Sequence, residues 1–254
     1  MNEYLYRYIG FDSFVGIMQK QALTFVLPEI WDDPKEDYVF QKMLNKQERV
    51  YAKILLIATH CKTYAQCWTQ LAESDAMWRI YAYGNRALRI KIAAKNVEQL
   101  EGVKAIPIQY EDIEDVELGY GEEAFLSAIT KKRKAFEHEK EIRLVNHYVF
   151  PDAEDFETHV KALIGLSDRE DSIDVLEKMF PSMTIEEQID EACRILNMGN
   201  AKQTTKDISF AHIPNFIEGV MVHPMAPNWF VDVVKEYCRI NNVTFEGKST
   251  LYLK

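Results

Sequence analysis

The chain has 254 residues, 47% of them hydrophobic and 12% aromatic, which excludes a disordered protein and allows a sizeable core. No apolar run approaches the roughly 18 residues of a membrane span, and the first residues lack a signal-peptide pattern, so we expect a cytoplasmic protein without membrane contact. The net charge of −10 argues against general nucleic-acid binding, and four scattered cysteines are typical of a reduced protein.

The first half of the chain alternates strands and helices. Residues 4–9 predict a strand with tyrosines on one face and Leu5, Arg7 and Ile9 on the other. A second strand over 22–27 and a long helix over 36–58 follow. Ser74 caps a helix that carries Trp78 and Tyr81.

Further strands are predicted over 61–69, 87–92 and 103–110, and Pro107 indicates that the last of these lies at a sheet edge. Residues 121–136 have helical spacing, which makes the basic run 131–134 a solvated helix face or a phosphate patch. A strand over 139–148 comes next. The C-terminal part reads as strand 217–223, helix 228–240 and strand 243–253.

Residues 151–200 differ in composition, with 13 acidic and 4 basic side chains. Thr184 and Glu187 form a capping-box pattern there, and the apolar spacing is helical throughout. We therefore predict a single α+β domain over 1–254. It has a central, mostly antiparallel sheet flanked by helices, and an acidic helical insertion over 152–200. The insertion should bury a set of apolar side chains, namely Phe156, Val160, Leu163, Ile189 and Leu196.

The chemically most informative segment is Glu139-Lys140-Glu141-Ile142-Arg143. In a strand, Glu139, Glu141 and Arg143 share one face. Such a set either stabilises a cationic transition state or is an exposed face with an internal ion pair. Arg7 needs an anionic partner if it is buried, either a protein carboxylate or a ligand phosphate. Trp78 and Tyr81 could stack on a planar ligand or simply fill the core.

Five short motifs in this order resemble the bacterial domain of unknown function 2971 family over about residues 4–150 and 217–253. They are Tyr6-Arg7, Trp31-Asp32-Asp33-Pro34, Cys67-Trp68-Thr69, Trp78 with Tyr81, and Glu139 to Arg143. Asp32 and Thr69 depart from the family's usual Asn and Ser. The resemblance implies a setting in bacterial defence or toxicity.

The order of Arg7, Thr69 and Glu141 is also similar, more distantly, to the ADP-ribosyltransferase-like superfamily. That resemblance implies an NAD-using transferase in which Glu141, Glu139 and Thr69 are catalytic. Arg7, Tyr6, Trp78, Tyr81 and Arg143 would bind NAD, with Arg7 on its phosphates, and the acceptor would be a protein or a nucleotide. Because Glu139, Glu141 and Arg143 share strand parity, we predict that Arg7 and Glu141 face one cleft with Trp78 or Tyr81 in its wall.

Two other functions stay open. One is a non-catalytic protein-interaction module that uses the acidic block. The other is a metal-dependent nuclease or hydrolase that uses Glu139 and Glu141, although no metal-ligand spacing accompanies them. The sequence contains no glycine-rich phosphate loop and no nucleophile elbow.

Overall fold

A computed structural model describes residues 2–31, 33, 35, 38–46, 50–82, 84–112, 126, 129–147, 178–195 and 203–252. Its helices are α1 (Phe11–Lys20), α2 (Tyr38–Lys46), α3 (Val50–Cys61), α4 (Asp75–Tyr81), α5 (Ala94–Val97), α6 (Ile185–Ile195) and α7 (Asn228–Ile240). Among the described residues, no helix has both the length and the apolar composition needed to cross a bilayer.

The strands are β1 (Tyr4–Gly10), β2 (Ala22–Val26), β3 (Tyr64–Thr69), β4 (Ala87–Ala93), β5 (Val103–Pro107), β6 (Gln109–Glu111), β7 (Lys131–Arg133), β8 (Glu141–Asn146), β9 (Thr205–Ser209), β10 (Gly219–Val222) and β11 (Thr244–Lys248). Within the described part of the chain, nine of these strands form one sheet, in which β10 and β11 pair in parallel and the other pairs are antiparallel. This architecture confirms the predicted α+β class with a mostly antiparallel central sheet. β5 pairs with β8, at the edge position that Pro107 indicated.

The sheet divides at β3. One side of β3 pairs with β8 along its whole length, whereas the other side pairs with β1 at Thr69 and with β2 at Ala65. β1 and β2 therefore diverge and leave a gap beside the middle of β3. The buried side chain of Gln66 lies at the β2 side of this gap, where its Nε2 donates to the carbonyl of Thr24 at 2.9 Å.

The two faces of the sheet differ in chemistry. The core face carries the main apolar cluster, in which Leu5, Ile90 and Ile142 pack with residues of α1 and α7. The opposite face, called the site face below, carries two smaller apolar clusters with polar side chains beside them. One of these clusters includes Ala65 and Val145 and lies against α2, α3 and α6; the other joins Tyr8 to Trp78 of α4.

Glu246 ties the C-terminal strand to β4 across the intervening strand β10. Its carboxylate forms ion pairs with Arg89, which is buried, and with Lys91. Gly219 of β10 leaves room for this crossing, because a Cβ there would lie 2.7 Å from Glu246 Oε1 and 3.1 Å from Lys91 Cε. Arg89 is thus a buried ion-pair partner.

Gly219→Ala is expected to destabilise the fold by about 1 kcal/mol, because the new methyl group makes the end of the Glu246 side chain shift and weakens its ion pair with Arg89. Urea unfolding of the variant measures this cost. The same substitution in a Glu246→Ala background should cost clearly less, because the displaced carboxylate is already gone. Equal costs in both backgrounds would contradict the crossing.

Several local predictions need correction. The helix predicted over 121–136 is wrong for its last six residues. There Lys131–Arg133 form a strand, and a 3-10 turn begins at Lys134 and ends at Glu139. Of the long helix predicted over 36–58, the described parts form α2 and α3.

The acidic insertion is described only over 178–195. There Thr184 and Glu187 form the predicted capping box, with Glu187 N donating to Thr184 Oγ1 at 3.3 Å, and Phe180 and Ala192 are buried in the cluster that includes α3. Phe156, Val160, Leu163 and Leu196 lie outside the described residues, as does the side chain of Ile189.

Candidate functional site

Glu139 and Glu141 approach each other by a turn, not by strand alternation. Glu139 ends the 3-10 turn, Lys140 adopts a left-handed conformation with φ of 44°, and β8 begins at Glu141. The predicted strand start at Glu139 is therefore wrong. Both carboxylates are nevertheless buried and meet at a single cation.

That cation is Lys132, in the short strand β7. Its Nζ lies 2.8 Å from Glu139 Oε2 and 2.9 Å from Glu141 Oε2, and its side chain is 8% exposed. Lys132 also contacts the ring of Phe136, with Nζ 4.7 Å from the ring centroid. The prediction of a solvated basic helix face is wrong at this residue, because Lys132 is the centre of a buried ion cluster.

Arg143 supplies the second positive charge. Its Nε donates to Glu141 Oε1 at 3.0 Å, and another guanidinium nitrogen donates to the carbonyl of Ile129. Trp31 covers the guanidinium, whose carbon lies 4.1 Å from the ring centroid. Two carboxylates and two cations thus form a tetrad whose four formal charges sum to zero, namely Lys132, Glu139, Glu141 and Arg143.

The charges set the ionisation of the tetrad. Burial by itself raises the pKa of Glu141, but Arg143 and Lys132 outweigh burial and bring that pKa down to about 2. Burial and then the neighbouring Glu141 raise the pKa of the Cys67 thiol, which rules out a thiolate at neutral pH. Burial and a hydrogen bond to Glu139 likewise raise the pKa of Tyr81.

Tyr81 and Thr69 both contact Glu139. The Tyr81 hydroxyl donates to Glu139 Oε1 at 2.6 Å, and Tyr81 is 38% exposed, so it lies between the tetrad and solvent. Thr69 Oγ1 donates to the backbone carbonyl of Glu139 at 2.5 Å and accepts from Leu71 N at 3.0 Å. Thr69, proposed from sequence as catalytic, therefore has its hydroxyl engaged in holding the turn.

Trp78 and Tyr6 lie elsewhere on the site face. Trp78 is fully buried, with its ring 4.7 Å from that of Tyr8 and its Nε1 donating to Glu73 at 2.6 Å. The ring of Tyr6 lies 4.8 Å from the guanidinium of Arg89, in the group that includes Glu246. The structure does not bring these two predicted NAD-binding residues to the tetrad.

Arg7 and Glu141 lie on opposite faces of the sheet. Tyr6 pairs with Thr69, and Thr69 pairs with Glu141, so these three residues share the site face. Arg7 follows Tyr6 without a bulge and pairs with Ile90 of the main core, which places it on the core face. The prediction that Arg7 and Glu141 face one cleft is therefore wrong.

Arg7 is partly buried, just beyond the point where β1 leaves β3. Across the described part of the chain, its guanidinium has no hydrogen bond and no ion pair. Burial lowers the pKa of Arg7, and Cys67, beside the gap, opposes this shift. The alternative in which Arg7 pairs with a protein carboxylate is not observed among these residues.

Sequence reasoning missed three contacts of the site. Lys132 joins the two carboxylates, Tyr110 accepts a hydrogen bond from Glu141 N at 2.7 Å, and Arg133 pairs with Asp33 at 2.9 Å. The basic run at 131–134 and the Asp-Asp-Pro turn are both visible in the sequence. The sequence does not show that Arg133 and Asp33, about 100 positions apart, pair with each other.

No family model, curated protein or solved structure matches the chain. The resemblances to domain of unknown function 2971 and to ADP-ribosyltransferases therefore stay predictions. Within the described ranges, no group of three His, Cys, Asp or Glu side chains could hold a metal ion, so the hydrolase alternative has no metal site there.

Proposed function

We propose that the chain binds a phosphate-bearing nucleotide, with NAD as the first candidate, and that Arg7 is its anion contact. The observation that carries this proposal is the unpaired guanidinium of Arg7 at the gap between β1 and β2. A guanidinium that is partly buried without an anion loses part of its hydration without compensation, and phosphate satisfies it bidentately.

The surroundings of Arg7 favour a ligand over a structural role. Leu5 and Ile9 flank it on its strand face and Ile90 lies opposite, so the strand itself offers no polar partner. The gap at β3 lies beside Arg7, and the Gln66 amide there is already engaged by the carbonyl of Thr24 and by Trp68 Nε1. A flat, phosphate-bearing molecule at this gap would satisfy Arg7 without changing the tetrad.

Transfer chemistry has weaker support than binding. Each carboxylate oxygen of Glu139 and Glu141 already has a donor in Lys132, Arg143 or Tyr81. A catalytic Glu141 would have to give up one of these donors and act through the gap on a ligand held from the other face. Nucleotide binding is therefore the proposal, and nicotinamide release is tested separately.

The test compares wild type, Arg7→Met and Arg86→Met by calorimetry with NAD, ADP-ribose and adenosine. Arg86 is an exposed arginine and serves as the matched control. We expect wild type and Arg86→Met to bind the two phosphate-bearing ligands. Arg7→Met should bind them about tenfold to a hundredfold more weakly, as expected for the loss of a charge-assisted contact.

The stability of the free protein separates binding from a structural role. If Arg7 is held for a ligand, Arg7→Met should leave stability unchanged or raise it, because a partly buried charge without an anion is removed. Adenosine binding as tight as NAD binding, or a loss of stability in Arg7→Met with unchanged affinity, would overturn the proposal. If wild type releases nicotinamide from NAD and Glu141→Gln does not, the protein has transferase activity in addition to nucleotide binding.

A further inference from the structure

Helix α7 carries large apolar side chains that the fold leaves uncovered. Its inner side buries Phe230, Val234 and Cys238 in the main core. Its outer side exposes Trp229 at 58%, Val233 at 46% and Ile240 at 62%. At 3.6 residues per turn, these three side chains lie within about 40° of one another and form one exposed stripe, called the α7 stripe below.

Four charged residues run beside the α7 stripe on the same exposed side, namely Asp232, Lys235, Glu236 and Arg239. They span about 100° of the helix surface. A groove of about 320 Å³ follows this charged side and is completed by Phe245 of β11 and by Val243, which precedes that strand. The outer surface of α7 is thus an apolar stripe with a charged border.

The order of the charges is self-complementary. Read forward along the helix, the signs are minus, plus, minus and plus, and read backward they are plus, minus, plus and minus. Against an antiparallel copy centred midway between Lys235 and Glu236, Asp232 therefore faces Arg239 and Lys235 faces Glu236. Each of these contacts occurs twice, because a two-fold interface is formed by the same patch on both copies.

The same two-fold arrangement also covers the apolar side chains. Two antiparallel helices lie side by side in one plane. A two-fold axis perpendicular to that plane maps the upper side of one helix onto the upper side of the other, so both stripes lie on the same side of the plane. The α7 stripe of one copy therefore meets the α7 stripe of the other, and charges meet charges. Arg239 keeps its pair with Glu236 on its own helix, at 2.8 and 2.6 Å, while Asp232 of the second copy adds a further acceptor.

We propose that α7 is a homodimer interface in which two copies pack antiparallel, with the α7 stripes in contact and Asp232 facing Arg239 across the two-fold axis. This surface uses neither Arg7 nor the tetrad. It explains an exposed tryptophan, a residue that is enriched at the centres of protein interfaces and is seldom left open on a monomer.

Sedimentation velocity over a range of loading concentrations tests the interface with charge reversals. Wild type should show a concentration-dependent dimer. Asp232→Arg and Arg239→Asp should each be monomeric, because each places like charges in contact twice. An equimolar mixture of the two variants should recover the dimer, since every contact across the two-fold axis is then between opposite charges. The double variant in one chain should recover it as well.

Two controls complete the design. Trp229→Glu should be monomeric regardless of the charges, and Lys95→Glu, an exposed position on α5, should dimerise as wild type does. Circular dichroism confirms that each variant is folded. A monomeric wild type, or a dimer that persists in both single charge variants, would overturn the proposal. Monomers in the mixture would overturn the antiparallel register.

Discussion

Replacing Lys132 by methionine should lower the free energy of unfolding by about 3–5 kcal/mol, the largest effect expected of a single substitution in this protein. Methionine retains the unbranched stem but removes the charge between Glu139 and Glu141. Arg143 still neutralises Glu141, whereas Glu139 is left with only the hydroxyl of Tyr81. One buried carboxylate then has no cation.

Two comparisons isolate the cause in urea unfolding experiments. Lys131→Met removes the neighbouring lysine, whose partner Glu111 is 38% exposed, and should cost about 1 kcal/mol or less. Adding Glu139→Gln to Lys132→Met should recover part of the loss, because the stranded charge is gone. A Lys132→Met protein within about 1 kcal/mol of wild type would show that the tetrad does not stabilise the fold.

The protein should lose about 3 kcal/mol of stability between about pH 6.5 and about pH 4 through His60 alone. This ring is 3% exposed and stacks on Phe40 at 3.7 Å between centroids, and burial lowers its pKa from 6.5 to about 4. The unfolded chain therefore takes up the proton first as the pH falls. Stability decreases below pH 6.5, and this contribution levels off below about pH 4.

His223 acts in the same direction, since burial and then Lys248 lower its pKa. Glu141 acts only below its ordinary pKa of 4.5, where loss of its ionised form removes stability down to about pH 2. His60→Phe preserves the stacked ring and removes the proton site. Its urea midpoint should therefore fall less steeply than that of wild type as the pH drops from 6.5 toward 5, and equal slopes would contradict the assignment.

Local patterns were sufficient where a strand alternates against a large core. β1 and β4 were predicted almost to the residue, because Leu5 and Ile9 alternate with tyrosines and Leu88, Ile90 and Ile92 alternate with Arg89 and Lys91. The capping box at Thr184 was recognisable for a similar reason, since its hydrogen bonds lie within one helical turn.

The site could be predicted only in part, because its geometry depends on register between distant strands. Alternation within β1 predicts that Arg7 shares a face with Leu5 and Ile9. The relation to Glu141 follows only from the pairing of Tyr6 with Thr69 and of Thr69 with Glu141, which places Arg7 and Glu141 on opposite faces. β7 is three residues long, which is too short to show the alternation of a strand. The helical spacing of residues 121–136 therefore places Lys132 in a helix. Glu139 and Glu141 were correctly grouped, but a left-handed Lys140 brings them together.

The way β3 shares one side between β1 and β2 has a consequence for biosynthesis. β2 contributes the buried Leu23 and Phe25, and its outer edge pairs with β9. Ala22, for example, pairs with Ser209, which is synthesised much later. During synthesis, β1 can join β3 and β4 early, while β2 keeps an unpaired apolar edge until most of the chain has left the ribosome. We therefore expect nascent chains that end before β9 to aggregate.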